Sequence, residues 1–204
     1  MKNESRVYIV DDDMAVREGL QMLFESAGHN VSTFANANSF LENYDSKIPC
    51  CLILDIHMPN INGLELQKML AQQDAPPPII FLTGHGSVSR AVRALKNGAV
   101  EFFQKPVIDE NQLLTRVAEI IQQDINTRAE AARRSEIRKR IEKLTPRETE
   151  IMELIYKGKS NKIIAIDLGI SKRTVELHRT HVMKKIDVRS VTELIRLLDN
   201  LKYS

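Results

Sequence analysis

The sequence predicts an α/β fold with a doubly wound, five-stranded parallel sheet, followed by a helical linker and a small all-α domain of four helices. Three observations predict this organisation. Over residues 5–121, short apolar runs alternate five times with amphipathic segments, which is typical of parallel strands covered by helices on both faces. Residues 122–140 are polar and contain neither proline nor glycine. Residues 141–204 contain repeated helix-capping signals.

Each predicted strand is a short apolar run, and each is followed by a segment whose apolar residues have helical spacing. The strands are expected at residues 7–10, 30–34, 50–54, 79–82 and 100–103. The helices are expected at residues 14–27, 37–44, 63–71 and 87–96, and from Asp109 onward. Because the apolar runs are continuous rather than alternating with polar residues, we expect both faces of the sheet to be buried.

The linker segment, residues 122–140, has sparse apolar positions at Ile125, Ala129, Ala132 and Ile137. Their spacing of three to five residues predicts a polar helix. Such a helix could continue the fifth helix as a semi-rigid arm, or it could pair with a twin in a coiled coil. A solvated linker is the third possibility.

Capping signals define the helices of the last domain. Thr145 precedes Pro146 and is followed three residues later by Glu148, which fills the N-cap and capping-box positions. Ser190 and Glu193 repeat this pattern. The helices are expected at residues 146–156, 161–167, 172–186 and 191–200. The second and third of these, joined by a short turn, have helix-turn-helix dimensions.

Composition indicates a globular protein whose two halves differ in charge. The 204 residues are 43% apolar and 27% charged, which excludes disordered and collagen-like chains. Residues 1–124 contain 10 basic and 16 acidic residues, whereas residues 125–204 contain 19 and 11, giving −6 and +8. The basic half has the sign that a nucleic-acid backbone or an anionic membrane attracts. A merely solvated basic surface is the alternative.

The sequence also predicts the cellular compartment. Its start lacks the apolar core of a secretion signal, and no apolar run approaches the roughly 20 residues that span a bilayer. Cys50 and Cys51 are neighbours, and adjacent Cα atoms are too close for an ordinary disulfide. We therefore expect a cytoplasmic protein with reduced cysteines and no membrane partner.

Polar residues follow the predicted strands at one edge of the sheet. Asp11, Asp12 and Asp13 follow the first strand, and Asp55 follows the third. Carboxylates that converge in space resist ionisation unless a cation offsets their charge, and Mg²⁺ suits such oxygen ligands. A carboxylate is also a competent nucleophile toward phosphoryl groups. The cluster therefore predicts a phosphoryl-acceptor site, although a lone aspartate could simply cap a loop, as we expect Asp13 to cap the first helix.

The motifs VDDD, LILDIHMP, FLTGHG and FFQKP resemble the receiver domain of two-component response regulators of the FixJ-like branch, which has a flavodoxin-like fold. The resemblance implies that a sensor histidine kinase phosphorylates Asp55. It also implies that Mg²⁺ is held by Asp11, Asp12, Asp55 and the backbone carbonyl of His57.

The same resemblance assigns three further residues. Lys105 would contact the phosphoryl group, and its peptide bond to Pro106 would be cis. Thr83 and Phe102 match the switch pair that responds to phosphorylation. Many relatives carry Tyr where this sequence has Phe102, so the hydroxyl is absent while rotation of the ring remains possible.

The stretches LTPRETEIMELI, GKSNKIIAIDLGIS and KRTVELHRTHVMKKI resemble the LuxR-type helix-turn-helix domain. The resemblance implies that the helix beginning near Ser171 enters the major groove of DNA. On a helical wheel, Val175, Val182 and Ile186 point in one direction and should face the core. Leu177, Thr180 and Lys184 lie roughly opposite, with Arg173 close by. The expected base contacts of this helix are Glu176, Leu177 and Thr180, and the expected phosphate contacts are Lys172, Arg173, Arg179 and Lys184, with Thr174 included among the DNA-contacting residues.

Together these features predict a transcriptional response regulator with a receiver domain at 5–121, a linker at 122–140 and a DNA-binding domain at 141–204. Phosphorylation would promote a homodimer and promoter binding, with RNA polymerase as a further partner and no catalysis beyond self-directed phosphorylation and dephosphorylation. The alternatives are a phosphatase of the haloacid-dehalogenase type, whose D-x-D motif occurs in Asp11 to Asp13, a DNA binder with an inert receiver, and a helical interaction domain without a DNA role.

Overall fold

The computed structural model describes residues 5–73, 75–84 and 95–202. The chain divides into two compact units, Met1–Ala129 and Glu130–Ser204. The helix expected at residues 87–96 lies for most of its length outside the described residues. Within the part of the chain that is described, no helix is long and apolar enough to cross a membrane.

The first unit contains a parallel sheet of five strands. The strands are β1 (Arg6–Val10), β2 (Asn30–Phe34), β3 (Cys50–Asp55), β4 (Ile79–Thr83) and β5 (Glu101–Gln104). Their order is β2-β1-β3-β4-β5, and every neighbouring pair is parallel. The predicted fold class is confirmed, and β5 begins one residue later than expected.

Four described helices accompany the sheet, and their starts are defined by side-chain caps. They are α1 (Met14–Ser26), α2 (Ala37–Asn43), α3 (Gly63–Leu70) and α4 (Glu110–Glu142). Asp13 caps α1, Asn36 caps α2, and Asn62 forms a capping box with Glu65 at α3. Each cap provides an acceptor for a backbone N–H at the helix start, which has no partner within the helix.

Hydrophobic side chains alternate between the two faces of the sheet, so the first unit has two cores. On one face, Tyr8, Leu52 and Phe81 pack with Phe40 of α2 and Leu66 of α3. On the other face, the core contains Val7, Ile9, Ile53, Ile80, Phe24 of α1, and Leu113 and Val117 of α4. Every residue of β3 is buried, as expected for the central strand of a sheet that is covered on both sides.

Gly63 allows the start of α3 to approach the end of β3. Its N–H donates to the Ile56 carbonyl at 3.1 Å, and a Cβ atom built on it would lie 2.1 Å from the Asp55 carbonyl oxygen. Any side chain at position 63 would therefore force the backbone at Asp55 to move.

Helix α4 is continuous through the predicted linker, and its apolar residues are largely covered within the chain itself. Ile125 packs on the core of the first unit, Ile137 is buried, and Ile141 packs on the core of the second unit. Ala129 and Ala132 are exposed. Ile125, Ile137 and Ile141 are therefore covered, each within its own unit.

The second unit adds four described helices to the end of α4. They are α5 (Pro146–Tyr156), α6 (Asn161–Leu168), α7 (Lys172–Ile186) and α8 (Val191–Lys202). Their core contains Ile151, Ile155, Ile164, Val175, Val182, Ile186 and Leu194. All four helices begin where the sequence predicts, and Gly169, with φ of 63°, ends α6 in the left-handed conformation that glycine adopts without strain.

We predict that Gly63→Ala destabilises the protein by about 1–3 kcal/mol, the usual range for inserting a methyl group into a packed site. Urea unfolding of the full chain measures this. Gly19→Ala in α1 is the matched control, because a Cβ there meets nothing within 4 Å and alanine should stabilise a helix by about 0.5–1 kcal/mol. Equal effects of the two substitutions would contradict the close approach at Asp55.

Candidate functional site

The candidate site lies at the carboxyl edge of the sheet, between β1 and β3. Asp11 directly follows β1, Asp55 is the last residue of β3, and Thr83 is the last residue of β4. Strand order reverses at β1, since β2 lies on one side of it and β3 on the other. In open parallel sheets, ligands bind at this switch point, beyond the carboxyl ends of the strands.

Three carboxylates and one ammonium group meet at this edge. Asp11, Asp12 and Asp55 each offer an oxygen within 4.8 Å of the others. The Nζ atom of Lys105 lies 2.5 Å from Asp11 Oδ2 and 2.9 Å from Asp55 Oδ1. Asp11 and Asp55 are buried, whereas Asp12 is exposed. The structure thus brings together four residues that the sequence places on three separate segments.

The site is short of positive charge. Burial raises the pKa of Asp11 despite the hydrogen bond and charge of Lys105, because desolvation disfavours a carboxylate. Burial also opposes ionisation of Lys105, but hydrogen bonds to Asp11 and Asp55 outweigh it and raise the pKa of Lys105. One ammonium against three carboxylates leaves about two negative charges, which a divalent cation would balance. The oxygen donor set therefore fits Mg²⁺.

Backbone and side-chain hydrogen bonds orient the two buried carboxylates. The Asp13 N–H donates to Asp11 Oδ1 at 3.0 Å, and the His57 N–H donates to Asp55 Oδ2 at 2.9 Å. Arg17 of α1 donates to the Asp11 carbonyl at 2.8 Å. The sequence analysis does not identify Arg17. This residue lies one turn into α1, and its contact with Asp11 depends on how the helix packs against the sheet, which the sequence pattern does not predict.

Asp13 caps a helix, as the sequence predicts, and the side chain of its neighbour at the site, His57, does not enter the cluster of carboxylates. The Asp13 carboxylate accepts from the Ala15 N–H at 2.9 Å and caps α1. The His57 side chain is exposed. An open cleft of about 630 Å³ beside them is lined by Asp12, Ile56, His57, Met58, Pro59, Asn62 and Leu64. This cleft gives access to the exposed member of the carboxylate cluster.

Thr83 and Phe102 lie on adjacent strands near the site. Thr83 is 4% exposed, and its hydroxyl donates to the Gly84 carbonyl at 3.2 Å. Phe102 pairs with Phe81 in the β4–β5 ladder, and its side chain is 39% exposed. The Lys105–Pro106 peptide bond is cis, as the resemblance implies. The ring of Phe102 is thus partly in solvent, one strand from a buried hydroxyl.

In the second unit, helices α6 and α7 form the predicted helix-turn-helix. Val175, Val182 and Ile186 are fully buried, as the helical wheel predicts. Outside this buried face, α7 is exposed at Lys172, Arg173, Glu176, Leu177, Thr180 and Lys184. Leu177 is 57% exposed, so a large apolar side chain stands in solvent among charged residues.

Two of the predicted DNA-contacting residues are engaged within α7 itself. The Thr174 and Ser171 hydroxyl oxygens are 2.7 Å apart, and Ser171 caps the helix. The Thr180 hydroxyl donates to the Glu176 carbonyl at 3.0 Å. Arg179 is only partly exposed, and burial lowers its pKa. Leu177 and Lys184 are therefore among the more available side chains, whereas Glu176 and Lys172 lie 3.9 Å apart as an exposed ion pair.

A buried carboxylate, Glu148, fixes α7 against the start of α5. Glu148 accepts from the Thr145 N–H at 2.8 Å, completing the predicted capping box. It also accepts from Lys185 Nζ at 2.6 Å. The hydrogen bond from Lys185, followed by that from Thr145, lowers the pKa of Glu148 to about 2. The sequence predicts the cap but gives no signal for the contact with Lys185, 37 residues away.

Comparison with protein families identifies two segments. Residues 7–118 match the response regulator receiver domain. Residues 142–198 match the bacterial regulatory proteins of the luxR family. The two matches together cover most of the chain, in the order predicted from the sequence.

Individual relatives match over nearly the full length. The response regulator protein TodT of Pseudomonas putida is 40% identical over 200 residues, covering 98% of this chain and 88% of that protein. The transcriptional regulatory protein FixJ of Bradyrhizobium diazoefficiens is 39% identical, covering 97% and 96%. The solved structure of the response regulator StyR is 40% identical with a TM-score of 0.89, covering 96% of this chain and 98% of that chain.

We predict that Glu148→Gln destabilises the second unit by about 2 kcal/mol at neutral pH, because a hydrogen bond to a charged group is lost. A folded-state pKa of about 2, below the ordinary value of 4.5, means that the stabilisation is present above pH 4.5 and disappears as pH falls toward 2. The difference in stability between wild type and variant should therefore shrink over that range.

Thermal unfolding at a series of pH values measures this difference. Glu150→Gln is the matched control on the same helix, because Glu150 forms an exposed pair with Arg147 that should contribute less than about 1 kcal/mol. A difference between wild type and Glu148→Gln that stays constant from pH 7 to below pH 3 would contradict the assignment.

Proposed function

Because the chain belongs to the response regulators that join a receiver domain to a LuxR-type DNA-binding domain, we propose that it is switched by phosphorylation of Asp55. The observation that carries this proposal is the bridge of Lys105 between Asp11 and Asp55. A carboxylate held beside an ammonium group can attack a phosphoryl group whose oxygens the ammonium then contacts.

The phosphoryl donor is a sensor histidine kinase. One Asp55 oxygen accepts from the His57 N–H and the other contacts Lys105, so the carboxylate is held in one orientation for attack. When phosphorylation converts this carboxylate to an acyl phosphate, Lys105 loses one partner and can follow the new phosphoryl oxygens. Self-directed phosphorylation and dephosphorylation are the only catalysis that we assign to the chain.

Asp11, Asp12, Asp55 and the backbone carbonyl of His57 would hold Mg²⁺. The support is the donor set itself, three carboxylate oxygens within 4.8 Å and one of them exposed to the open cleft. Bound there, the ion would neutralise charge on the carboxylates and on an incoming phosphate. Asp13 is assigned as a helix cap and not as a ligand.

Thr83 and Phe102 would transmit the change to the surface. The Thr83 hydroxyl would turn from the Gly84 carbonyl toward the phosphoryl oxygens, and the half-exposed ring of Phe102 would rotate into the space beside it. A remodelled surface favours a homodimer, since phosphorylation shifts the population toward the state that it stabilises. The dimer would place two helix-turn-helix units on a two-fold DNA site.

The output is control of transcription in the cytoplasm. Glu176, Leu177 and Thr180 would contact base edges. Thr174, at the start of the helix, would also contact the DNA. The residues that would contact phosphates are Lys172, Arg173, Arg179 and Lys184. RNA polymerase would be a further partner. We keep the domain limits 5–121, 122–140 and 141–204 for the receiver, linker and DNA-binding domain.

We predict that Asp55→Asn abolishes Mg²⁺-dependent incorporation of label from radioactive acetyl phosphate, because an amide oxygen is not an anionic nucleophile. Asp12→Asn should still accept label but require a higher Mg²⁺ concentration. Asp13→Asn is the matched control, because asparagine also caps helices, and it should label like wild type.

Turnover of p-nitrophenyl phosphate by variants of Asp11 and Asp55 distinguishes the proposed receiver from the phosphatase alternative. In that alternative Asp11 is the nucleophile, so Asp11→Asn would abolish turnover of p-nitrophenyl phosphate while Asp55→Asn would spare it. Sustained turnover by the wild-type protein, or labelling of the Asp55→Asn protein, would overturn the proposed role of Asp55.

We predict different effects for the two classes of DNA contact. Lys184→Ala should weaken binding to all duplexes alike and reduce the slope of log affinity against log salt by about 1. Leu177→Ala should weaken a selected site by about 1 kcal/mol, the scale of one buried methyl contact, and leave random DNA unaffected. Fluorescence anisotropy with both duplexes at several salt concentrations measures these changes.

The control is Lys139→Ala, an exposed lysine of α4 outside the helix pair. Its affinity for both duplexes should remain within twofold of wild type. If Leu177→Ala changed neither duplex while Lys139→Ala changed both, α7 would not be the helix that contacts bases.

A further inference from the structure

Two residues of the predicted linker, Asp124 and Arg128, make contacts that the proposed function does not use. Both belong to α4 beyond the last fully buried turn, Ile120 and Ile121, which packs on the sheet. Their side chains are 9% and 17% exposed, and Arg128 Nε lies 2.7 Å from Asp124 Oδ2. A polar pair this well covered, in a stretch of otherwise exposed residues, requires neighbours from outside the helix.

Those neighbours come from the segment that leads into β3. Asp124 Oδ2 accepts from the Cys50 N–H at 2.9 Å, and Arg128 Nη1 donates to the Ser46 carbonyl. Cys50 is the first residue of β3, whereas pairing with β4 begins only at Leu52. Cys50 pairs with Arg6 of β1 but precedes the ladder with β4, and the Asp124 carboxylate accepts from its buried N–H.

The electrostatics agree with a fixed contact. Burial opposes the charge on Arg128, but the hydrogen bond and the negative charge of Asp124, with smaller contributions from Cys50 and Tyr44, together outweigh burial and raise the pKa of Arg128. Burial, followed by the Asp124 charge, raises the pKa of the Cys50 thiol to about 12, so that thiol stays neutral. Arg128 therefore stays charged.

We propose that Asp124 and Arg128 are positioning residues that fasten the start of the linker to the strand carrying Asp55. Strand β3 has Cys50 at one end and Asp55 at the other, and all of its residues are buried. The clamp, defined as Asp124, Arg128, the Cys50 N–H and the Ser46 carbonyl, holds residues 122–128, the first part of the linker, against the receiver. The free part of the linker then starts at residue 129.

A second ion pair farther along α4 can be compared with the pair of Asp124 and Arg128. Glu130 and Arg134 form the same type of i, i+4 pair at 2.7 Å, but Glu130 is 63% exposed. Apart from Arg134, residues 129–136 are exposed. An ion pair that only supports the helix would look like this second pair, whereas the clamp also holds two backbone groups from a different segment.

The decisive variant is the charge swap Asp124→Arg with Arg128→Asp. It keeps an intrahelical ion pair, but arginine at 124 cannot accept from the Cys50 N–H and aspartate at 128 cannot donate to the Ser46 carbonyl. The matched control is the swap Glu130→Arg with Arg134→Glu. The double variant Asp124→Ala with Arg128→Ala removes both charges and tests the same contacts if the swap does not fold.

Hydrogen exchange of the full-length proteins, followed by mass spectrometry of peptic fragments, measures the fastening directly. We expect amides 122–129 to exchange at least about tenfold faster in the clamp variants, with residues 110–121 unchanged, because these middle turns of α4 lose their tertiary support. The control swap should match wild type. Unchanged exchange in both clamp variants would overturn the proposal.

The fastened linker would also couple phosphorylation of Asp55 to DNA binding, a role that rests on the proposed function and that a second measurement tests. Affinity for a duplex selected by the phosphorylated wild-type protein is measured with and without acetyl phosphate, and label on Asp55 is counted in the same samples. We expect the clamp variants to incorporate label normally but to lose the phosphorylation-dependent gain in affinity. Failure of labelling in wild type would contradict the proposed function, whereas normal labelling with an intact gain in the clamp variants would overturn the coupling role.

Discussion

Mutual repulsion of carboxylates at one edge of a parallel sheet is the constraint on which the first unit depends. Asp11, Asp12 and Asp55 lie within 4.8 Å of one another, a position that costs free energy unless positive charge is close. Lys105 provides part of that charge from β5's carboxyl end, and backbone N–H groups of Asp13 and His57 orient the two buried carboxylates. A cluster with a remaining negative charge is suited to a divalent cation and, through it, to a phosphate.

Rigidity of β3 gives the cluster a fixed position. The strand is buried along its whole length, and Gly63 brings α3 against the Asp55 carbonyl so closely that a methyl group would overlap it. Because packed cores resist displacement, a change of charge on Asp55 must be accommodated by movable groups at the edge. In the proposed switch, Lys105, Thr83 and the partly exposed ring of Phe102 would be such groups, since Thr83 ends β4, Phe102 belongs to β5 and Lys105 directly follows β5.

Most of this architecture could be predicted from local patterns in the sequence. The contacts between residues that are far apart in the sequence could not be predicted in this way. Apolar runs, caps and turn glycines act within a few residues, so the helix starts at 146, 161, 172 and 191 and the strand tips at Asp11 and Asp55 follow from pattern alone. The bond from Cys50 to Asp124 joins residues 74 positions apart, and that from Lys185 to Glu148 joins residues 37 positions apart. Sequence periodicity does not predict such pairs, because they form only when helices and strands pack against one another.

Net charge is another property of the sequence that the contacts in the structure qualify. The basic second half suggests nucleic acid by its sign, yet several of its cations are engaged internally. Lys185 binds Glu148, Arg140 binds Glu136 and the Ile186 carbonyl, and Arg147 binds Glu150 and the Leu168 carbonyl. The geometry of α7 supports DNA binding more directly than charge does. Val175, Val182 and Ile186 are buried on one side of this helix, and Leu177 and Lys184 are exposed on the other. A helix held this firmly on one side can present a fixed set of side chains to a groove, which charge alone cannot do.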